Sequence, residues 1–298
     1  MNLPFFKKIL PIFHFWTILV FLYFSGRMTT PWSVVNQDRY TAGEVLGFET
    51  LLPAPAPYPF NNNIFVLSDL SAQSAIAVDL DSMVTLYEKM ADERLLPAST
   101  TKIMTALVAL ENYQIDQILT YDRKATPGTT IGLKPGEKMT VESLLYGMLI
   151  GSGNDAADVL ADSFPGGREN FITVMNVKAQ ELNLSNTQFT NPMGLDEKNH
   201  YSSARDLARL AAVAIKNPLF SKIVATPEIT ITDISGASVH HLRNTNELIG
   251  KMETARGIKT GKTDKAGECL VALFDQNSHR VITVVLNSVN RIGETKIM

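Results

Sequence analysis

The sequence has few of the residues that bind metals or form disulfides, and it has no excess of positive charge for binding nucleic acids. Its 298 residues include one cysteine, Cys269, so the chain cannot form an internal disulfide. Five scattered histidines and the lack of any Cys-x-x-Cys pair give no zinc-binding pattern. The formal net charge of −3 argues against a nucleic-acid partner, which usually needs a basic face. We therefore expect no metal, no cofactor and no nucleic-acid partner, and we expect Cys269 to be a small buried strand residue.

One long apolar run is present at the N-terminus. It extends from Ile9 to Phe24 and is preceded by Lys7 and Lys8. Its length falls between the ~7–15 residues of a signal-peptide core and the ~17–25 residues of a membrane-spanning helix. We predict that residues 1–25 form an N-terminal signal or membrane anchor, and whether it is cleaved stays open. The positive-inside tendency then places the remaining chain on the extracytoplasmic side. A buried core helix is the alternative, which the flanking lysines disfavour.

Residues 26–61 have the composition of a linker. Prolines alternate with other residues from Leu52 to Pro59, and three asparagines follow. Alternating proline favours the stiff, extended polyproline II conformation. We expect this Pro-rich linker to hold a globular domain, residues 62–298, away from a membrane surface.

From residue 64 onward the pattern is that of one mixed domain. Short alternating runs around Asp81 predict a hairpin, and further hairpins are expected within 119–139. Segment 100–112 has apolar residues over most of its helical circumference, which predicts a buried helix. Other helices are expected after Thr140 and at 155–161, 170–182 and 203–215, and strands at 228–233, 257–260, 268–274 and 281–286. This order predicts an α+β fold whose first and last strands pair.

Three short motifs carry chemically useful side chains in a fixed order. In Ser99-Thr-Thr-Lys102 the serine and the lysine are three residues apart, so on a helix they share one face. The lysine amine can then take the serine proton, which makes serine a good nucleophile. Ser152-Gly-Asn154 follows in a predicted loop, and Lys259-Thr-Gly261 in a predicted strand. An S-x-x-K motif, an S-D-N-type box and K-T-G in this order are typical of serine β-lactamases and penicillin-binding proteins.

The resemblance extends from about residue 70 to 291. The matching segments are Leu96–Thr105, Leu144–Ala156, Phe189–Leu195, His200–Asp206 and Gly257–Thr263. They resemble the low-molecular-mass penicillin-binding proteins, the serine D-alanyl-D-alanine carboxypeptidases of the peptidase S11-like family. The resemblance implies a β-lactamase/transpeptidase-like fold, in which helices flank a five-stranded antiparallel sheet and the middle region is α-helical. The Ser-Gly-Asn box is the usual form in that family, whereas class A β-lactamases typically have Ser-Asp-Asn.

The expected catalytic residues are Ser99, Lys102 and Ser152. Ser99 would attack the carbonyl carbon of the scissile amide, and its place at a helix N-terminus favours the alkoxide. Lys102 is expected to be the general base, which requires a pKa well below ~10.4. Burial, the helix N-terminus and the nearby Lys259 are expected to lower it. Ser152 would relay a proton to the leaving amine, and Asn154 would bond either the substrate backbone or Lys102.

The expected substrate-binding residues lie mostly on the third motif. Lys259 and Thr260 would bind the terminal carboxylate of the substrate. Gly261 would let the substrate lie along the strand edge as an added strand. The backbone N–H of Lys262 would form the oxyanion hole together with that of the nucleophile. By family resemblance, Arg291 would supply a second charge for the carboxylate.

These residues together predict an extracytoplasmic serine carboxypeptidase that acts on the pentapeptide stems of peptidoglycan. It would remove the terminal D-alanine through an acyl-Ser99 intermediate, and β-lactam antibiotics would acylate the same serine. An endopeptidase that cleaves peptidoglycan cross-links would use the same residues and stays open. A serine β-lactamase is disfavoured because no Glu-x-x-Leu-Asn segment supplies its deacylating glutamate. A catalytically silent peptidoglycan-binding protein is disfavoured because the motif side chains are intact.

The sequence departs from the family pattern after Arg291. The family normally continues into a C-terminal helix that packs on the sheet, and many members add a β-rich domain. Here the sequence stops at Met298. We therefore expect the catalytic domain, residues 62–298, to end in a short or truncated helix, and the N-terminal segment to provide the membrane attachment.

Overall fold

The computed structural model describes residues 70–298. Pairing of its strands forms one large antiparallel sheet. The strands are β1 (Ser74–Asp79), β2 (Thr85–Lys89), β3 (Ile118–Tyr121), β4 (Glu137–Thr140), β5 (Glu228–Thr232), β6 (Val239–Arg243), β7 (Ala255–Thr263), β8 (Gly267–Gln276) and β9 (His279–Ser288). The large sheet has five strands in the order β2-β1-β9-β8-β7, all antiparallel. The other four strands form two separate ladders, β3 with β4 and β5 with β6.

The middle of the described chain is helical, as expected. The helices are α1 (Lys102–Asn112), α2 (Val141–Leu149), α3 (Asn154–Asp162), α4 (Gly167–Glu181), α5 (Ala204–Ala214), α6 (Pro218–Val224) and α7 (Arg291–Ile297). α5 packs on β1 and β9, and α7 packs on β8 and β9. Every residue of β1 is buried, because helices and neighbouring strands surround it.

The predicted pairing of the first and last strands is confirmed. β1 runs antiparallel to β9, from Ser74 opposite Leu286 to Asp79 opposite Val281. In the strand order of the sheet, β7 comes last and lies at an edge. An edge strand has one row of backbone groups without a ladder partner. On β7, these backbone groups can form hydrogen bonds to whatever packs beside the strand.

The predicted buried helix is confirmed as α1. All residues from Lys102 to Ala109 are buried, and α1 contacts α2, α4 and α5. The helix does not begin at Thr100, because a 3₁₀ turn, Ala98–Thr101, precedes it. This turn contacts β7 and β8. The Ser99-Thr-Thr-Lys102 segment is therefore held between the helical layer and the sheet edge.

The sequence patterns do not predict α6 or β6. The strand expected at 228–233 is confirmed as β5, Glu228–Thr232, and α6 covers Pro218–Val224 before it. Its N-terminus is well specified, since Asn217 accepts hydrogen bonds from two backbone N–H groups and Pro218 follows. β6 is short and pairs with β5. The hairpins expected within 119–139 are a single ladder, in which a long loop joins β3 to β4.

The signal or anchor predicted at residues 1–25 and the linker predicted at 26–61 lie outside the described residues. Between residues 70 and 298, no helix combines the length and the apolar character needed to cross a membrane. The short helix expected at the C-terminal end corresponds to α7.

Candidate active site

Ser99 lies on a tight turn against which other segments pack closely. Ala98 has φ +48°, a left-handed conformation that is uncommon outside glycine. Gly194 lies directly against this turn, since a Cβ built on it would be 1.8 Å from the Ala98 carbonyl oxygen. Position 194 therefore accepts no side chain. The turn leaves Ser99 half-buried, and its hydroxyl group contacts Lys102.

The amine of Lys102 is fully buried and has three hydrogen-bond partners. Its Nζ lies 2.9 Å from Ser99 Oγ, 2.7 Å from Asn154 Oδ1 and 2.8 Å from the Met193 carbonyl oxygen. The last two atoms can only accept hydrogen bonds. A neutral amine has two N–H bonds, so it donates both to these acceptors and directs its lone pair at the Ser99 hydroxyl. This geometry would suit the amine of Lys102 to act as a base towards the Ser99 hydroxyl.

Burial lowers the pKa of Lys102 from its usual value to about 7. The negative charges of Asp155 and Asp158 oppose this shift, but the loss of hydration outweighs them. Burial is therefore the decisive cause among those expected from the sequence. A substantial fraction of Lys102 is neutral near pH 7, before any substrate binds.

Lys259 and Ser152 form a second buried pair. Lys259 Nζ donates to Ser152 Oγ over 3.0 Å and to the Thr260 carbonyl oxygen over 2.9 Å. Burial and the positive charges of Lys102 and Arg291 hold the pKa of Lys259 well below its ordinary value. A carboxylate bound beside Lys259 would favour its charged form. The pair is therefore suited to binding an anion and to passing a proton.

Thr260 and Arg291 lie at the same end of the site. Thr260 Oγ1 shares a 2.7 Å hydrogen bond with Thr245 Oγ1, and Arg291 Nη1 donates to the Gly261 carbonyl oxygen over 2.9 Å. Arg291 Nε is buried and has no hydrogen-bond partner within the described part of the chain. The hydroxyl and the guanidinium group together can bind a carboxylate.

Gly261 and Lys262 contribute to the site through their backbone. A Cβ built on Gly261 would lie 2.8 Å from Ser99 N and 2.9 Å from Ala98 Cβ. Glycine is therefore needed here for the contact between β7 and the turn Ala98–Thr101, in addition to the expected approach of substrate. The Lys262 side chain is 66% exposed and reaches Glu268 Oε1 at 3.1 Å, so its side chain lies away from the Ser99 hydroxyl.

Both ends of the Asn154 amide are bonded within the protein. Its Oδ1 accepts from Lys102, and its Nδ2 donates to the Pro127 carbonyl oxygen over 2.7 Å. Its backbone N–H donates to the Thr129 carbonyl oxygen over 2.7 Å. Of the two roles expected for Asn154, this geometry displays the bond to Lys102. Asn154 orients the Lys102 amine, and the loop that contains Pro127 and Thr129 orients Asn154.

Comparison with known proteins places this arrangement in an established family. The peptidase S11 family model, described as D-alanyl-D-alanine carboxypeptidase, matches residues 61–290. The chain belongs to this family. The D-alanyl-D-alanine carboxypeptidase DacF of Bacillus subtilis (strain 168) is 40% identical to this S11 peptidase over 224 residues. That match covers 73% of this chain and 57% of DacF, so the chain spans little more than half the length of that relative.

Two further relatives of this S11 peptidase differ in their named activity. The D-alanyl-D-alanine endopeptidase of Pseudomonas aeruginosa is 35% identical over 225 residues, which are 74% of this chain and 72% of the relative. The crystal structure of the Streptomyces K15 DD-transpeptidase has a TM-score of 0.74 at 34% identity, covering 78% of this chain and 97% of that chain. This likeness and the five-stranded sheet confirm the expected β-lactamase/transpeptidase-like fold.

The loop that supplies the Met193 carbonyl oxygen was not assigned a role by sequence reasoning. Asn191 Oδ1 accepts hydrogen bonds from the N–H groups of Met193, Gly194 and Leu195 at 3.2, 2.7 and 3.0 Å. These bonds shape the turn that presents the carbonyl to Lys102. Segment Phe189–Leu195 is part of the family resemblance. Every residue has a backbone carbonyl group, however, so no residue type in the sequence marks this acceptor.

His200 is a second residue without an expected role. Its Nδ1 accepts from the Thr190 N–H at 3.0 Å, so Nε2 carries the proton and donates to Thr101 Oγ1 at 2.9 Å. Burial lowers the pKa of His200 to about 4, which keeps the ring neutral. His200 therefore braces the residue that precedes Lys102.

Gly261→Ala is expected to slow acylation of Ser99 by penicillin about 100-fold. The added methyl group must move β7 away from the nucleophile turn, and a shift of this size disturbs the oxyanion hole. Stopped-flow acylation rates measure the effect. Gly236→Ala is the control, because its added methyl group meets open space. The φ of +75° strains alanine there, so some loss of stability is expected, but the strain lies in the turn between β5 and β6 and should leave the acylation rate unchanged. Equal rates for the two variants would contradict the packing argument.

Proposed function

We propose that this S11 peptidase is a D-alanyl-D-alanine carboxypeptidase that acts on the pentapeptide stems of peptidoglycan. One observation carries the proposal: a fully buried lysine amine with a pKa of about 7 lies 2.9 Å from Ser99 Oγ. Its other two partners leave its lone pair for the serine hydroxyl. Family membership and the similarity to carboxypeptidase relatives support the choice of substrate.

In the first step Lys102 takes the Ser99 proton, and Ser99 Oγ attacks the carbonyl carbon of the penultimate D-alanine. The backbone N–H groups of Ser99 and Lys262 stabilise the oxyanion, and loss of one such donor typically costs about 3 kcal/mol. Collapse of the tetrahedral intermediate breaks the C–N bond. Ser152, bonded to Lys259, passes a proton to the departing amine and is reprotonated by Lys102, which becomes neutral again. In the second step Lys102 takes a proton from a water molecule, the water oxygen attacks the acyl carbonyl carbon, and Lys102 returns the proton to Ser99 Oγ as the bond from Ser99 to the tetrapeptide breaks.

The terminal carboxylate of the substrate is bound by Lys259, Thr260 and Arg291. Lys259 and Thr260 are neighbours on β7, Arg291 bonds the adjacent Gly261 carbonyl oxygen, and Arg291 Nε has no hydrogen-bond partner among the described residues. A β-lactam carries a carboxylate next to a strained amide, so it meets the same groups and acylates Ser99. We therefore include β-lactam antibiotics as covalent inhibitors.

We also propose an extracytoplasmic location. Peptidoglycan, the substrate implied by the family, lies outside the cytoplasmic membrane. The apolar run at residues 9–24 and its flanking lysines support export and attachment to the membrane through residues 1–25. Residues 26–61 would then act as the linker to the catalytic domain, residues 62–298.

The carboxypeptidase proposal predicts a specific product. The purified protein is incubated with pentapeptide muropeptides, and the products are separated by liquid chromatography with mass detection. We expect free D-alanine and the matching tetrapeptide in equal amounts, and we expect prior treatment with penicillin to prevent their release. Penicillin labelling without release of D-alanine would contradict the proposed substrate.

An endopeptidase is the second candidate function. The 35% identity to the Pseudomonas aeruginosa D-alanyl-D-alanine endopeptidase favours it. The same incubation with cross-linked muropeptide dimers distinguishes the two functions. Conversion of dimers to monomers without release of D-alanine from pentapeptides would support the endopeptidase and exclude the carboxypeptidase.

A further inference from the structure

A buried pair of ionisable side chains lies outside the three motifs. Glu137 on β4 is 6% exposed, and His240 on β6 is 8% exposed. His240 Nε2 is in close hydrogen-bond contact with Glu137 Oε1. The two residues are 103 positions apart in the sequence, and no motif connects them. A buried pair of this kind requires a reason, because taking two polar groups out of water is costly.

The hydrogen bonds of this pair fix one backbone carbonyl. His240 Nδ1 lies 3.0 Å from the Ile131 carbonyl oxygen, which can only accept, so Nδ1 carries a proton. The second carboxylate oxygen of Glu137 accepts from the Lys134 N–H at 2.9 Å. The pair therefore bonds two points of the loop between β3 and β4, at residues 131 and 134.

The same loop is the support of the Ser152-Gly-Asn154 box. The Asp155 carboxylate accepts from the N–H groups of residues 131, 132 and 133 at 3.0–3.1 Å. The Ile131 side chain packs against three glycines, since a Cβ built on Gly147, Gly151 or Gly153 would lie 2.5, 2.8 or 2.9 Å from it. Ile131 therefore contacts the residues on both sides of Ser152.

The loop also orients the general base. Its carbonyl groups at Pro127 and Thr129 bond Asn154, and Asn154 Oδ1 bonds Lys102. A continuous chain of contacts thus leads from His240 through Ile131 to Ser152 and Asn154. Displacement of reacting groups by about 1 Å can cost on the order of 100-fold in rate.

We propose that His240 and Glu137 are positioning residues for acylation of Ser99. They hold loop 127–134 against the Ser-Gly-Asn box, and through it they fix Ser152 and Lys102. The inference rests on the proposed function. It assigns the main effect to the reaction rate, because among the described residues Thr260 and Arg291 form no hydrogen bond to this loop, and Lys259 is linked to it only through Ser152.

The test compares three variants in acylation by fluorescent penicillin. His240→Gln keeps a donor near the position of Nε2 for Glu137 but cannot also reach the Ile131 carbonyl oxygen. We expect its acylation rate constant at saturating penicillin to fall at least tenfold, with the half-saturating concentration unchanged. Glu137→Gln can donate to His240 Nε2 and accept from Lys134 N–H, so it should stay within threefold of the wild type. His241→Gln is the matched control, because His241 is exposed on the same strand and bonds Thr230.

The outcomes separate this inference from the proposed function. A wild-type rate for His240→Gln, or an equal loss in Glu137→Gln, would overturn the positioning role. A change confined to the half-saturating concentration would also overturn it, since a positioning residue acts on the saturated rate. Circular dichroism at the assay temperature shows that each variant is folded. Release of D-alanine by the wild-type protein tests the proposed function independently, because penicillin acylation is judged as a ratio to the wild type.

Discussion

Ser99→Ala is expected to abolish covalent labelling by penicillin and to lower D-alanine release by on the order of 10⁴-fold or more. The change removes the oxygen that lies 2.9 Å from Lys102 Nζ. The backbone of the turn is set by Ala98, by the close contact with Gly194 and by the packing of β7. Alanine at position 99 keeps all three, so the variant should fold normally. Gel fluorescence after penicillin treatment and mass detection of D-alanine measure the two losses.

Ser143→Ala is a suitable control for the loss of a serine hydroxyl. The Ser143 hydroxyl accepts a hydrogen bond from Thr140 at the start of α2, and the helix cap itself uses the Thr140 oxygen. We expect wild-type labelling and a melting temperature within a few degrees of the wild type. Labelling that persists in Ser99→Ala, and that maps by mass spectrometry to another residue, would show that the nucleophile is wrongly assigned.

The pair of Ser99 and Lys102 was predictable because its geometry is local. One helical turn brings residues i and i+3 together whatever the rest of the fold does. The burial of Lys102 was predictable for a similar reason. Segment 100–112 is apolar around most of its circumference, and such a helix must be covered on nearly all sides. The two properties that suit Lys102 to its proposed role as a base were therefore visible in one short segment.

The partners that orient Lys102 were much harder to predict. Asn154 and Met193 are 52 and 91 positions away from it. The first is a motif residue with two possible roles, and only the packing of loop 127–134 decides between them. The second acts through its carbonyl oxygen, which every residue has. Sequence patterns identify side-chain chemistry, but they do not identify a backbone group that becomes useful through its placement.

Gly261 also shows that a sequence motif does not reveal every contact its residues make. Its place in the Lys-Thr-Gly motif indicates that a side chain is excluded, and the expected reason was the approach of substrate. The structure adds the contact with Ser99 N and Ala98 Cβ. Residues 99 and 261 are on different elements, so the reason for the glycine depends on the register of β7 against the nucleophile turn. His240 and Glu137 likewise meet because β6 and β4 lie close together in the fold, and β6 itself was not predicted.

Acylation of Ser99 at saturating penicillin is expected to rise with pH and to level off above a midpoint near 7. Lys102 must be neutral to accept the Ser99 proton, and burial lowers its pKa to about 7. Below this pH the folded protein holds an ammonium group that cannot act as a base, so the rate falls about tenfold per pH unit. Saturating penicillin isolates this effect, because loss of charge on Lys259 weakens carboxylate binding and therefore changes the half-saturating concentration.

Lys102→Arg separates the need for a base from the need for a positive charge. A guanidinium group can bond Asn154 Oδ1 and the Met193 carbonyl oxygen, but it does not release its proton in the accessible pH range. We expect a loss of on the order of 10³-fold or more in acylation and no rise near pH 7. Lys251→Arg, at a side chain that is 63% exposed, should keep the wild-type rate and midpoint. A wild-type rate that stays flat from pH 5 to about 10 would count against Lys102 as the base. If the acylation rate of Lys102→Arg still rises with pH, a group other than Lys102 must be titrating. Lys259, bonded to Ser152 at 3.0 Å, would then be the first group to examine.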